Sequence, residues 1–235
     1  MGSGRTGQST GKPDAPRAVA ARPPRRRNPQ GTGSQLREEL TAAAGRLLAA
    51  SGEPESLSLR AVAREAGVAA PSVYLQFDSK EDLLRAVVVE HFAIFQRAIE
   101  TAIASVDDAP ARLLAGCLAY CHFAEAQPGS YRIIFDTQLP PMPEITTGEL
   151  PGMSAFAVLV NAVAACMESG AARPGDPFIV ARDIWTALHG IVQLRRHLPD
   201  FPWSALDDQV AGVVRAFTGI ERFALPEQRP ESELA

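Results

Sequence analysis

After residue 34 the apolar positions of this chain recur at helical spacing almost to the end, and no segment alternates with the period of a strand. Leu36, Leu40, Ala43 and Leu47 form one stripe over Gln35 to Ala50. Ser51-Gly52-Glu53-Pro54 then supplies the glycine and following proline of a helix stop. Leu59, Val62, Ala63 and Ala66 repeat at i, i+3, i+4 and i+7 behind Ser58, whose hydroxyl can accept from a first-turn amide. Gly67 stands where left-handed backbone closes a helix, and Pro71 near the start of the next, where its missing N–H costs nothing. That next helix is brief, with Val73, Tyr74 and Phe77 as its large apolar side chains. Ser79-Lys80-Glu81-Asp82 has the form of a capping box, with Asp82 in place of the usual Glu. It opens a long helix predicted to reach about Ser105, with Leu84, Val88, Phe92, Phe95, Ile99 and Ile103 on one face.

Further on, Asp107-Asp108-Ala109-Pro110 breaks the pattern and starts a helix over roughly Ala111 to Gln127. A short helix follows from Ser130 to about Asp136. Leu139 to Gly152 holds four prolines and reads as a loop. Ala155 to Glu168 is nearly all apolar, too short and too interrupted by Asn161 for a membrane span, so it is expected to be buried on every side. Pro177 to His197 and Ser204 to Phe223 make the last two helices, punctuated by Pro199, Pro202 and Pro226. The fold class is all-α.

Composition changes the picture mainly at the N-terminus. The chain of 235 residues carries a net charge of −4, yet before Ser34 seven basic side chains face Asp14 alone. Residues 1–33 are rich in Gly, Pro, Ser, Thr and Arg and lack the apolar surface to offset their ordering entropy, so they read as a disordered basic arm. They have no apolar core of signal-peptide length. Arg25, Arg26 and Arg27 suit an electrostatic arm along a DNA backbone or minor groove, or equally a solubilising tail.

Helix, glycine-containing turn, helix is the outline of a helix-turn-helix, though any corner of two helices shares it. The residue identities go further. Leu59-Arg60-Ala61-Val62-Ala63, Ala66-Gly67-Val68, Tyr74-Leu75-Gln76-Phe77 and Ser79-Lys80-Glu81-Asp82-Leu83 resemble, over about thirty positions in order, the DNA-binding signature of the TetR family of transcriptional regulators. Ala69 stands where that family often has Ser or Thr, and Gln76 where His or Tyr is frequent. The resemblance implies an N-terminal three-helix head at 34–80, a helical effector-binding and dimerisation domain at 81–225, and a flexible tail at 226–235. It also implies a homodimer on double-stranded DNA with a palindromic operator. Ala70, Pro71 and Ser72 would then lie at base edges, whereas Arg60, Tyr74 and Lys80 would hold phosphates and Gln76 would complete the DNA face.

A second resemblance lies in Ile184-Trp185-Thr186-Ala187-Leu188-His189-Gly190, with Pro128, Tyr131 and Phe135. These look like the Trp-His-Gly type of ligand-binding domain found in one TetR branch. It implies that Trp185 and His189, four apart on one helix face, point toward a ligand cavity. The alternative is a core tryptophan and a hydrogen-bonded buried histidine, with Gly190 admitting a neighbouring helix. Phe92, Phe95, Phe123, Tyr131, Phe135, Met153, Phe156 and Trp185 are candidate walls, or simply core. His122, Tyr131, Asn161 and His189 are candidate polar groups. Few charges interrupt these helices, so a largely hydrophobic small-molecule effector is expected.

Catalytic chemistry finds little support. Cys117 and Cys121 have the i, i+4 spacing of a metal edge beside His122, but no second pair at ligand spacing accompanies them and Cys166 is isolated. His122 with Glu125, or Asp183 near His189, lacks a nucleophile motif. No cofactor, metal or membrane association is expected, and three unpatterned cysteines suit a reducing cytoplasm. The expected function is a ligand-responsive transcriptional regulator, most simply a repressor released by its effector. A helical protein-binding scaffold and a helical enzyme are the other classes. Val210, Val213, Val214 and Phe217 form an apolar stripe suited to a four-helix bundle with a second subunit.

Overall fold

A computed structural model describes residues 33–139 and 150–223. The basic arm with Arg25, Arg26 and Arg27, the proline-rich stretch 140–149 and the tail from residue 224 lie outside the described residues. The described residues are helical throughout: α1 Gly33–Ser51, a 3-10 turn Pro54–Ser56, α2 Leu59–Ala66, α3 Ala70–Tyr74, α4 Lys80–Ala104, α5 Ala109–Ala126, α6 Pro128–Asp136, α7 Met153–Glu168, α8 Pro177–His197 and α9 Leu206–Thr218.

Local chemistry fixes where these helices begin and end. The Ser58 hydroxyl accepts from the Ala61 amide at 3.2 Å, and the Ser79 hydroxyl from the Asp82 amide at 3.0 Å. Asp108 caps α5 by accepting from Ala111 at 3.0 Å, and Asp176 caps α8 by accepting from Phe178 at 2.9 Å. Gly67 closes α2 at φ +70°, a conformation that side chains with a Cβ resist. Gly219, at φ +77°, ends α9 well short of the expected Phe223.

Two hydrophobic clusters organise the packing. One joins Leu40, Ala44, Leu48, Val62, Val73 and Phe77 to Leu83, Leu84, Val87 and Val88 of α4, with Ile133 of α6. The other joins Phe95 and Ile99 of α4 to α5, α7, α8 and α9, with Tyr131 and Ile134 of α6. Helices α4 and α6 therefore contribute to both.

Two expectations about facing change. Helix α7 is not buried on every side: Ser154, Ala157, Asn161, Ala165 and Glu168 form an exposed line along it, opposite buried Ala155, Val163 and Cys166. Alanine costs little to expose, so hydropathy does not mark that outer face. The α9 stripe also divides. Val210 and Val214 are fully buried in the chain's own core, whereas Val213 is half-buried and Phe217 is 39% exposed.

Candidate functional site

The first candidate surface is built on α3. Val73 and Phe77 are fully buried and anchor this five-residue helix and its exit against α1, α2 and α4. Pro71 and Tyr74 consequently face outward, and Ala70 and Ser72 sit half-buried on the flanks. Ala69 precedes α3 without a side-chain cap. Arg60 is exposed on α2, and Lys80 is half-buried as the first residue of α4.

Arg37 of α1 was not among the candidate residues, yet it organises this corner. Its guanidinium lies 4.1 Å from the Phe77 ring centroid, donates to the Gln76 carbonyl and reaches the Asp82 carboxylate at 3.3 Å. One side chain thereby ties the end of α3 to the first turn of α4. An arginine on an amphipathic helix carries no sequence mark of partners about forty residues away.

The second candidate is internal. A cavity of about 360 Å³ lies among α4, α5, α6, α7 and α8. Phe92, Phe95, Phe135, Phe156 and Trp185 line it together with Met153, and Ile99, Ile103, Leu113 and Leu188 complete much of its apolar wall. Gly152, at φ +90°, approaches so closely that an added Cβ would lie 2.5 Å from the Phe92 ring. Among the described lining residues Arg182 carries the formal charge, and it already donates to the Asp183 carboxylate at 2.8 Å.

At this wall three polar groups meet, the first of them on Tyr120, which itself lines the cavity. The Tyr120 and Tyr131 hydroxyls are 2.9 Å apart, and His189 Nδ1 lies 2.8 Å from Tyr131 and 3.2 Å from Tyr120. The Tyr131 ring stacks on the imidazole at 24°, and Phe135 packs edge-on to it. Burial pushes both phenols above their ordinary range; Tyr131 reinforces this at Tyr120. Burial also holds His189 below its usual value, with Asp136 opposing and Arg196 assisting. All three are neutral near pH 7, so His189 Nδ1 accepts from a tyrosine hydroxyl in one imidazole tautomer and donates to one in the other. Tyr120 was missed in the sequence because its histidine partner stands 69 residues away.

The remaining candidates lie elsewhere. His122 is at the surface, where Nε2 meets Asp207 at 2.8 Å and bridges α5 to α9. Phe123 is buried behind the cavity, edge-on to Phe95 at 5.2 Å. Tyr131 borders a second, more polar cleft of about 380 Å³ with Arg195, Arg196 and Trp203. Asn161 points outward. An added Cβ at Gly190 would meet nothing within 4 Å, so none of the described helices approaches it. Cys117, Cys121 and Cys166 are buried free thiols, and burial pushes Cys121 up to about 12 and Cys166 up to about 11, far from thiolate chemistry at neutral pH.

Helix α6 links the two candidates. Tyr131 and Phe135 face the body, whereas Ile133 enters the other cluster and Arg132 donates to the Ala49 carbonyl at the end of α1 at 3.1 Å. Gly129 allows this approach, since an added Cβ would lie 2.8 Å from the Ala49 Cβ.

Comparison with known proteins places these two regions side by side. Residues 40–87 match the family of bacterial regulatory proteins of the tetR type, and residues 113–217 match the tetracyclin repressor-like, C-terminal domain. A protein of unknown function from Rhodococcus sp. RHA1 is 27% identical, with a TM-score of 0.66 over 77% of this chain and 93% of that one. A putative transcriptional regulator of the TetR family from Vibrio parahaemolyticus is 24% identical, with a TM-score of 0.61 over 78% of this chain and 97% of that one. RolR, solved with resorcinol, is 18% identical, with a TM-score of 0.57 over 81% of this chain and 90% of that one. The latter two likenesses speak for the fold alone. No curated protein matched the sequence.

Proposed function

We propose that this chain, which belongs to the tetR family of bacterial regulatory proteins, is a ligand-responsive transcriptional repressor released from a palindromic operator by a lipophilic small molecule. The observation that carries the reading is the cavity itself: it is almost wholly apolar, and α4 and α6, which help to wall it, also enter the core beneath α3. Its volume falls in the ordinary range for small-molecule sites, roughly 300–1,000 Å³. The near absence of charge favours a neutral effector, with Phe92, Phe95, Phe135, Phe156 and Trp185 as its contacts. The Tyr120–Tyr131–His189 cluster sets one polar point in that wall, because Tyr120 lines the cavity beside Trp185. RolR supports the idea that this fold accommodates a small ring compound.

The reading divides the chain into a head at 34–80 and a sensor and dimerisation domain at 81–225. A homodimer would set two α3 helices in successive major grooves, about 34–36 Å apart. Outward Leu194 and Phe217, with open space over Gly190 and Gly212, support a second subunit on α8 and α9. Arg60, Tyr74 and Lys80 would meet phosphates, with Gln76 beside them. Arg25, Arg26 and Arg27 would add an electrostatic arm. The protein would act in the cytoplasm.

Regulation follows from linkage. An effector that favours a head spacing unsuited to the operator lowers operator affinity by the factor by which operator lowers its own. A mobility shift with DNA flanking the protein's own gene, repeated with lipophilic compounds that raise its Tm, tests the reading. Release by such a compound is expected. Equal effector affinity with and without bound DNA would exclude the repressor mechanism.

A further inference from the structure

The most exposed large apolar side chain in the described chain is Leu75, at 82%. It sits directly after α3, with Pro71 at i−4 on the same side, opposite buried Val73 at i−2. Tyr74 is itself 56% exposed. Pro71 and Leu75 thus make a small apolar face, flanked by Tyr74, on the element that the regulator reading sends into the major groove. The backbone under that face is held firmly: the Leu75 amide donates to Pro71, the next residue's carbonyl accepts from Arg37, and Phe77 locks the exit into the core. An isobutyl group presented on a fixed base offers shape without a donor or an acceptor.

We propose that Leu75 is a base-reading residue that packs against the 5-methyl group of a thymine in each operator half-site. This rests on the regulator reading above and deepens it. A phosphate has nothing to gain from leucine, which lacks a donor. In the major groove the thymine methyl is the apolar feature that distinguishes one base pair from another. Leu75 therefore reads sequence, and it extends the reading face from Pro71 and Ser72 to the C-terminal end of α3.

The test uses full-length protein and a random-sequence duplex library. The enriched duplex is then resynthesised with each thymidine replaced in turn by deoxyuridine, which removes the methyl and leaves pairing intact. The expected result is one thymine per half-site whose replacement weakens binding about fourfold, and about fifteenfold when both are replaced. In Leu75→Ala that penalty disappears, whereas penalties at other positions persist. Because Leu75 is exposed, the variant should keep the wild-type Tm. An undiminished deoxyuridine penalty in Leu75→Ala, or an equal loss on every sequence as from a sugar contact, would overturn the assignment while leaving the regulator reading intact. Failure to enrich any duplex would overturn both.

Discussion

The two hydrophobic clusters solve opposite problems. The one beneath α3 is closed: Leu40, Ala43, Val62, Val73, Leu83 and Val87 are all fully buried, and Phe77 is gripped among them. Its functional side chains stand outside, on a surface whose value lies in staying put. The other is dominated by rings, with Phe95 in edge contact with Tyr120, Phe123 and Phe135, and it leaves a cavity at its centre. The side chains proposed to meet an effector face inward. Flat rings meeting at steep angles wall the residual volume, which is the candidate effector site. A reader of DNA gains from a filled core, and a receptor needs an incomplete one.

That contrast can be broken in order of size. Phe77→Ala should cost about 3–5 kcal/mol in urea unfolding, because a ring leaves a core with no slack. Mobility shift should be lost while a neutral dye such as Nile red still binds the cavity; joint loss would mean that the clusters stand or fall together. Tyr131→Phe should cost about 0.5–1.5 kcal/mol, since His189 Nδ1 and the Tyr120 hydroxyl each lose one buried partner but keep each other at 3.2 Å. A cost near zero would show that the three-group cluster adds nothing to the body. Ala162→Phe places a ring in the cavity. It should leave stability within about 1 kcal/mol, although the same change in a filled core costs about 1–3. Dye binding should fall more than about tenfold, equivalent to roughly 1.4 kcal/mol.

The smallest effect is one of pH. Burial holds His189 of the body, and His91 where α4 lies over Gly45 of α1, below their ordinary values. As pH falls, the unfolded chain takes up these protons first. Stability from the neutral imidazoles is therefore complete above the unfolded value, about 6.5, and is lost as pH falls through the lower folded values. Tm should be level from neutral to that point and decline below it. His189→Gln and His91→Gln should each flatten the decline, which apportions it between the body and the junction.

Much of the fold was legible because helix ends require particular chemistry within a few residues. Ser58, Gly67, Ser79, Asp108 and Pro177 mark their termini whatever surrounds them. The corner at α3 was legible for the same reason, with Val73 and Phe77 spaced as a buried pair should be. Facing was harder. Ala157 and Ala165 have the hydropathy of a core and lie outside it, and Val210 and Val213 differ in burial without differing in kind. The cavity was legible only as a set of rings. Phe95 and Phe123 meet edge to face, yet one lines the void and the other stands behind it, and only packing between distant segments separates them. His122 and His189 were equally plausible as letters; the first meets a surface aspartate, the second two buried phenols.

Helix α6 has a consequence for anyone who would treat the head as an interchangeable cassette. Ile133 plugs the head's core and Arg132 binds the last turn of α1, although both lie about sixty residues beyond the end of the α1–α3 segment. A hybrid spliced after α3, or even within α4, would leave the donor head with an open socket and the recipient body with a misfitting plug. Successful exchange requires grafting the Gly129–Ile133 surface along with residues 34–88, so the transplantable unit is discontinuous in sequence.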